Sequence, residues 1–270
     1  MIAISNAISI GLNKVGGGST PGYDPDAQAF FARVTAAGGT LSVTEEQAVN
    51  QLVLYSKAQG LWTLIDAAYP MVGSSAAAFA QNLKSSAFTG TFTSGWTYAS
   101  TGATPNGAAY MDTSYNVDVS GQLNDAHLSF YSRSIGVTSG ANMGCYQAPS
   151  SFHHVYSKWI DNKAYCGVNG SESSLSNPDS QGFYIGARIN ASQQKYYKNG
   201  SVFITGSVVS TIKPPRNIYV GASNGSAGID YSTMELAWAS FGKGMTDTQA
   251  SNFYTAIQAF QTTLNRQIAG

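Results

Sequence analysis

The stretch from Lys195 to Ile204 constrains the fold of this chain more than any other. Lys195-Tyr196-Tyr197-Lys198 and Ser201-Val202-Phe203-Ile204 are two strand-forming runs separated by Asn199-Gly200. Both residues of a two-residue hairpin turn need positive φ, and Asn-Gly supplies them at least cost. Further runs rich in β-branched and aromatic residues occur at His127 to Arg133, His154 to Ile160, Lys163 to Val168, Gly182 to Ile189, Asn217 to Ala222 and Met234 to Phe241. Asp161-Asn162 separates the second and third of these, and turn-forming clusters recur between the others. Short strands joined by tight turns predict an antiparallel, mainly β sandwich or barrel over residues 89–244.

The flanks read differently. Asp24 caps a helix with Pro25 at its first position, and Ala27, Phe30, Phe31 and Val34 come after it at helical spacing up to Gly38-Gly39. Thr44 with Gln47 has capping-box spacing before Ala48, Leu52 and Tyr55. A third short helix is expected from Trp62 to Tyr69, ending before Pro70, while Ser74 to Leu83 is ambiguous. Residues 23–88 therefore read as a small helical module, which at this size needs to pack on the strand region. At the other end, Thr246 and Gln249 form a capping box. Ala250, Phe253, Tyr254, Ile257, Phe260 and Leu264 then make an amphipathic helix able to cover a face or edge of the sheet.

Residues 1–22 form an arm. Ile2, Ile4, Ile8, Ile10, Leu12 and Val15 are spaced among Ser, Asn and Ala, and Gly16 to Gly18 cut this segment off from the body. An apolar peptide with no core of its own reads as an assembly anchor that docks on another chain. The segment lacks the basic start and unbroken apolar run of a secretory signal, and no stretch is apolar enough to cross a membrane as a helix.

Charge excludes one function class. Lys plus Arg and Asp plus Glu are 14 each, so the net charge is zero, and charged residues are only 10% of the chain. A protein that holds nucleic acid by neutralising phosphates does not look like this. Ser, Thr, Asn and Gln number 86 in their place, beside 16 Tyr, a surface suited to contact with protein or sugar.

Catalytic patterns are sparse. A glycosidase needs two facing carboxylates. Of the four Glu, Glu45 and Glu46 begin a helix and Glu172 lies in a Ser-rich loop. Glu235 is on a strand with no acid two or four residues on. His153 and His154 point to opposite faces of a strand, so they do not share a metal; a solvent-facing histidine beside a packed one is expected. Asp112, Asp118, Asp125, Asp179 and Asp230 are the candidates for a rim calcium, but no dense cluster supports one, and no cofactor is expected. Cys145 and Cys166 read as buried thiols, and the Asn-x-Ser sequons at Asn169, Asn190, Asn199 and Asn224 as turns. Sugar binding needs an exposed aromatic beside amide and acid groups. The loop aromatics Trp96, Tyr146, Phe152 and Tyr231 are the candidate ligand contacts.

These residues carry two resemblances. Phe183 to Phe203, with its polar-aromatic-Asn-Gly hairpin, resembles the middle of a laminin-G or concanavalin-type jelly roll. Asn217 to Gly221 and Glu235 to Phe241, before the helix begun at Thr246, are similar to the closing strands of that family. The resemblance covers residues 89–265 and implies a lectin-like sandwich. The helical module, Thr93 to Thr97 and Thr101 to Gly107 resemble structural proteins of tailed bacteriophages. That resemblance implies a virion component (fibre, spike or decoration protein), made in the host cytoplasm without a signal peptide. It joins other virion proteins through the arm, is a homo-oligomer with a trimer favoured, and displays a non-enzymatic head to a cell-surface glycan. An exported bacterial carbohydrate-binding lectin and a jelly-roll glycan hydrolase are the alternatives.

Overall fold

The computed structural model describes residues 22–268. The arm residues Ile2, Ile4, Ile8, Ile10, Leu12 and Val15, and the anchor role read for them, lie outside the described residues.

Helix α1 (Pro25–Ala36) begins as its sequence dictates. Asp24 accepts from the Asp26 amide, Pro25 occupies the first turn, and Ala27, Phe30 and Val34 are buried. Helix α2 (Val43–Ala58) is capped by Ser42 with Glu45 rather than by Thr44 with Gln47. The Ser42 frame prevails because Glu45 does two things at once. One carboxylate oxygen accepts from the Ser42 amide at 2.8 Å and the other from the Gly73 amide at 2.7 Å, which ties the helix start to a distant loop.

The helix expected over residues 62–69 is a 3-10 turn (Trp62–Leu64) followed by strand β1 (Ile65–Tyr69). The edge of a strand near the carboxyl end, residues 236–242, offers unpaired backbone there, and Ala67, Ala68 and Tyr69 pair with Phe241, Ser240 and Ala239. Backbone pairing across the fold outweighs local propensity. A short helix α3 (Ala76–Phe79) comes next.

Then come β2 (Thr91–Phe92), β3 (Trp96–Ala99), β4 (Gly102–Pro105), β5 (Met111–Asn116) and the one-turn α4 (Val117–Ser120). Next are β6 (Ala126–Ser132), β7 (Met143–Gln147), β8 (Ser151–Tyr156), β9 (Lys163–Gly170) and β10 (Ser173–Ser176). The chain continues through β11 (Gly182–Arg188), β12 (Gln194–Lys198), β13 (Ser201–Gly206), β14 (Asn217–Val220), β15 (Ala222–Gly225), β16 (Gly228–Tyr231) and β17 (Leu236–Gly242). Helix α5 (Asp247–Thr263) closes it, with the Thr246–Gln249 capping box formed.

The strands make two packed sheets, so the jelly-roll sandwich read from the sequence is the fold. The first runs β13-β12-β11-β6-β17-β4-β3, with β1 also on β17, and the second runs β10-β9-β8-β7-β14-β5-β2. Asn199 (φ 50°) and Gly200 (φ 76°) form the expected two-residue turn between β12 and β13. Among the described residues the named strands pair antiparallel except where β15 runs parallel to β7.

The two sheets differ in what covers them. Every residue of β6, β11 and β17 is buried, although strands of a one-sided sheet alternate. One face of these strands meets the second sheet: a Cβ at Gly186 would lie 2.8 Å from Cys166 and Val155, and on that face Phe130 stacks on its cross-strand neighbour Tyr184. The other face lies under α5, where Phe253 meets Trp238 and Phe183 edge-on and Gln258 accepts from the Tyr131 hydroxyl. Helix α2 packs on α5 in turn, and α1 on α2. The layers are therefore helices, first sheet, core, second sheet. Phe30, Val49, Phe130, Val155 and Phe253 belong to one continuous apolar cluster.

A buried arginine fastens this stack. Arg266, 2% exposed, donates to the carbonyls of Met71 and Pro70 (each 2.6 Å) and Ala237 (3.0 Å), and to Gln261. Burial drives its pKa down to about 9.

Candidate functional site: the open face of the second sheet

No helix lies over the outer face of the second sheet among the described residues, and on β7, β8 and β9 that face carries a row of aromatic side chains. On β8, Val155 and His153 point into the core, so Phe152, His154 and Tyr156 point outward at every second position. Tyr146 of β7 and Tyr165 of β9 flank them, in register with Phe152 and Tyr156 respectively.

His154 is the centre of this row. Its neighbours in register are both glycines, Gly144 on β7 and Gly167 on β9. A Cβ at Gly144 (φ 139°) would come within 2.3 Å of the His154 Cβ, and one at Gly167 within 2.6 Å of the Phe152 Cβ. The missing side chains let aromatic rings close around the imidazole: Phe152 at 5.1 Å, Tyr156 at 5.0 Å and Tyr146 at 5.8 Å between centroids. Its Nε2 donates to Glu172 Oε1 at 2.7 Å, since a carboxylate can only accept. Nδ1 meets the Ser223 hydroxyl at 3.1 Å. His154 thus holds the Glu172 carboxylate in place, and Glu172 remains 28% exposed.

Beside it, Tyr156, Trp159, Tyr165 and Glu172 line a cleft of about 80 Å³. Trp159 is set by a turn in which its amide donates to the Lys163 carbonyl and its ring Nε1 to the Ser139 carbonyl. The Trp159 and Tyr165 rings meet at 90° with centroids 5.7 Å apart. Tyr165 donates to Asp161 at 2.6 Å; burial and this acid push its pKa up to about 12.

The hairpin β15–β16 lies along β7, on the other side of the aromatic row. Gly225 lies against the Tyr146 ring, and Asp230 lies within electrostatic reach of His154 and Glu172. Burial raises the Asp230 pKa and the Glu172 charge raises it further, while His154 opposes the shift. Burial raises Tyr156 too, with Asp230 and Glu172 adding to it. The field at the cleft is acidic.

The four candidate aromatics are all on strands rather than loops, because the strands reach further than their turn signals suggested. Tyr146 and Phe152 are a cross-strand pair, 5.7 Å apart, inside this site. Tyr231 is on β16 and joins Tyr110 and Tyr219 across the hairpin. Trp96 lies apart, edge-on to Phe92 and against Gly221. His153 is buried at 3% and His154 at 2%, so neither faces solvent; the second is enclosed by the aromatic row. His153 bonds Asn169 at 2.9 Å. Glu235 precedes β17 and lies 3.5 Å from Arg133.

Asp112 bonds Asn217, Asp125 accepts from the Gly244 amide, Asp179 accepts from the Gln181 amide, and Asp118 lies 3.8 Å from Lys213. Among the described residues, no three His, Cys, Asp or Glu side chains gather closely enough to hold a metal ion. Cys145 and Cys166 are free, buried thiols whose pKa burial raises. No helix among the described residues is long and apolar enough to cross a membrane.

Trp159, Tyr156, Tyr165, His154, Glu172 and Asp230 were not singled out from the sequence as ligand contacts. The spacing Phe152-x-His154-x-Tyr156 was the available signal, since a period of two puts all three on one face.

No family model and no curated protein sequence matches the chain. Solved structures do resemble it in shape. Domain 4 of AbnA, a GH43 extracellular arabinanase from Geobacillus stearothermophilus solved with arabinotriose, aligns with a TM-score of 0.49 at 14% identity. The alignment covers 70% of this chain and 97% of that one. The botulinum neurotoxin serotype D binding domain aligns with a TM-score of 0.45 at 12% identity, over 72% of this chain and 52% of its own length. A Trypanosoma rangeli sialidase mutant displaying trans-sialidase activity aligns with a TM-score of 0.39 at 12% identity, over 81% of this chain and 40% of that one. At these identities the likeness is one of fold.

Proposed function

We propose that the open face of the second sheet binds carbohydrate, at the cleft formed by Trp159, Tyr165, Tyr156 and Glu172. The observation that carries this is the meeting of two partly exposed aromatic rings with a carboxylate that His154 holds in a fixed position. A sugar has an apolar C–H face and a rim of hydroxyls. An aromatic ring takes the first, and a fixed acceptor takes the second through a charge-assisted hydrogen bond. The acidity of Glu172 and Asp230 favours a neutral or amino sugar and disfavours sialylated and sulfated ones.

The role is binding rather than hydrolysis. Among the described residues Glu172 is the one carboxylate lining the cleft, and general acid–base hydrolysis needs a pair. A glycan array followed by calorimetry tests the reading. The full chain should bind neutral or amino glycans, Trp159→Ala should weaken binding about tenfold, and both proteins should melt within a few degrees of each other. Preferential retention of sialylated glycans, or full binding by Trp159→Ala, refutes it.

The wider setting we propose is the bacteriophage virion, on the sequence resemblance and the composition of the arm. There the chain serves as a fibre, spike or decoration protein, an oligomer (a trimer favoured) joined to other virion proteins through Ile2 to Val15. Deleting residues 1–20 should leave a folded head that no longer enters the particle; normal incorporation refutes the anchor.

A further inference from the structure

Across the β15–β16 hairpin from this cleft, the same sheet face carries a second aromatic group. Tyr219 of β14 lies between the core residues Ile218 and Val220 and so points outward. Its ring stacks on Tyr110, 4.0 Å away at 7°, and Tyr231 of β16 approaches Tyr110 at 6.4 Å. Beside them Asn217 Nδ2 donates to the Asp112 carboxylate at 3.1 and 3.3 Å. All three tyrosines are partly exposed.

Their hydroxyls are what sets them apart. The tyrosines that build the body spend theirs internally: Tyr69 on the Phe88 carbonyl, Tyr115 on Asp66, Tyr196 on the Tyr156 carbonyl and Tyr197 on Asp247. The Tyr219 and Tyr110 hydroxyls meet each other, and among the described residues those of Tyr110, Tyr219 and Tyr231 engage no main-chain group and no carboxylate. Tyr219 and Tyr231 are on strands, whose side chains stand roughly perpendicular to the sheet, and the partly exposed group lies beside an amide and an acid.

The hairpin links the two groups. Asp230 and Tyr231 are consecutive on β16, with Asp230 within electrostatic reach of His154 and Glu172 and Tyr231 6.4 Å from Tyr110. The strand order β9-β8-β7-β14 places Tyr219 three steps from Tyr165 and two from Tyr156. Tyr219 is level with His154, two residues along the strand from Tyr156 and Tyr165; with about 4.8 Å per step and about 3.4 Å per residue, the separation is roughly 12–16 Å, the reach of an oligosaccharide rather than of one ring.

We infer that Tyr110, Tyr219 and Tyr231, with Asp112 and Asn217, form a second subsite, and that the ligand is an extended neutral glycan chain lying across both sites. This rests on the carbohydrate reading of the Trp159 cleft. Each subsite alone is shallow, and joining two on one rigid face multiplies their effect because the second contact is intramolecular.

Calorimetry on the full chain with cello-, xylo- and chito-oligosaccharides, from disaccharide to hexasaccharide, tests it. In the series that binds, affinity should rise about tenfold or more between the shortest and longest members. Tyr231→Ala and Tyr219→Ala should each abolish most of that rise and leave disaccharide affinity unchanged, whereas Trp159→Ala should weaken every length. Tyr231 is on an exposed hairpin, so its variant keeps the test valid if Tyr219→Ala melts early. Length-independent affinity in the native chain, or an undiminished rise in both tyrosine variants, overturns the second subsite while leaving the first intact. Failure of every series to bind overturns both.

Discussion

Two buried histidines should make this protein acid-labile well before its carboxylates are all protonated. His127 is held under α5, where its Nδ1 meets the Lys243 carbonyl at 2.5 Å and Phe253 lies edge-on. His153 faces the inter-sheet core. Asn169 gives its amide nitrogen to the Gln122 and Leu123 carbonyls, so its oxygen faces His153 and Nδ1 carries the hydrogen. A carbonyl fixes the same tautomer in His127, and both rings are neutral donors. Burial, the main cause, drives the pKa of His127 from 6.5 down to about 4 and that of His153 down to about 3.

In the unfolded chain both take up protons below pH 6.5; in the folded chain they do so only near 4 and 3. The unfolded state therefore binds more protons through this window. The stability is fully present above pH 6.5 and is lost as the pH falls through it. At pH 4.5 the loss is about 2–3 kcal/mol for each ring, or roughly 5 kcal/mol together, a large part of the total stability of a typical domain. Asp66 and Asp230, whose pKa values burial raises, act in the opposite sense, contributing most at low pH and less as the pH rises through the folded value. The assay must therefore compare proteins. Urea unfolding of the native chain and of His127→Asn/His153→Asn, which keeps both Nδ-type donors, should be run from pH 7.5 to 4.5. The native protein should lose several kcal/mol more than the variant across that range. Equal losses in both would refute the reasoning.

Three further substitutions test the packing. Thr246→Ala removes the hydroxyl that accepts from the Gln249 amide, leaves the reciprocal bond from the residue 246 amide to Gln249, and should cost about 1 kcal/mol, read as a small fall in Tm. Gly186→Ala puts a methyl 2.8 Å from Cys166 Sγ and Val155 Cγ1 between two fixed sheets, and denaturant unfolding should show a loss of about 1–3 kcal/mol. Arg266→Leu strands the Pro70 and Met71 carbonyls at the join between α5 and the turn after β1. About 3 kcal/mol should be lost in the same assay, with proteolysis appearing first near residue 71.

What could be read in advance was chemistry that acts within a few residues. Asn199-Gly200 had to turn, Asp24-Pro25 had to open a helix, and Thr246 with Gln249 had to cap one, because each signal and its consequence are neighbours. Residues 65–69 look helical in sequence because their strand partner, β17, lies more than 160 residues away. Thr44 with Gln47 read as the capping frame, but Ser42 with Glu45 forms it, because Gly73, which only the folded chain brings to Glu45, holds the second carboxylate oxygen. The candidate site failed to appear for the same reason. Phe152, His154 and Tyr156 shared a visible face, but Glu172 and Ser223 reach His154 from 18 and 69 residues away. Nor does the sequence around β6, β11 and β17 say which sheet the helices will cover, and that covering leaves the other sheet open.

The most direct test of the binding face is to see where a glycan lands. An NMR titration of the isotope-labelled full chain with the best neutral ligand from the array should be followed at the Trp159 indole, Tyr165, His154 and the backbone of residues 222–231. Saturable shifts should gather at these groups and spare the indole of Trp238, which is sealed under α5. Shifts that gather instead between α2 and α5, with the Trp159 and Tyr165 signals unmoved at saturation, would contradict the account.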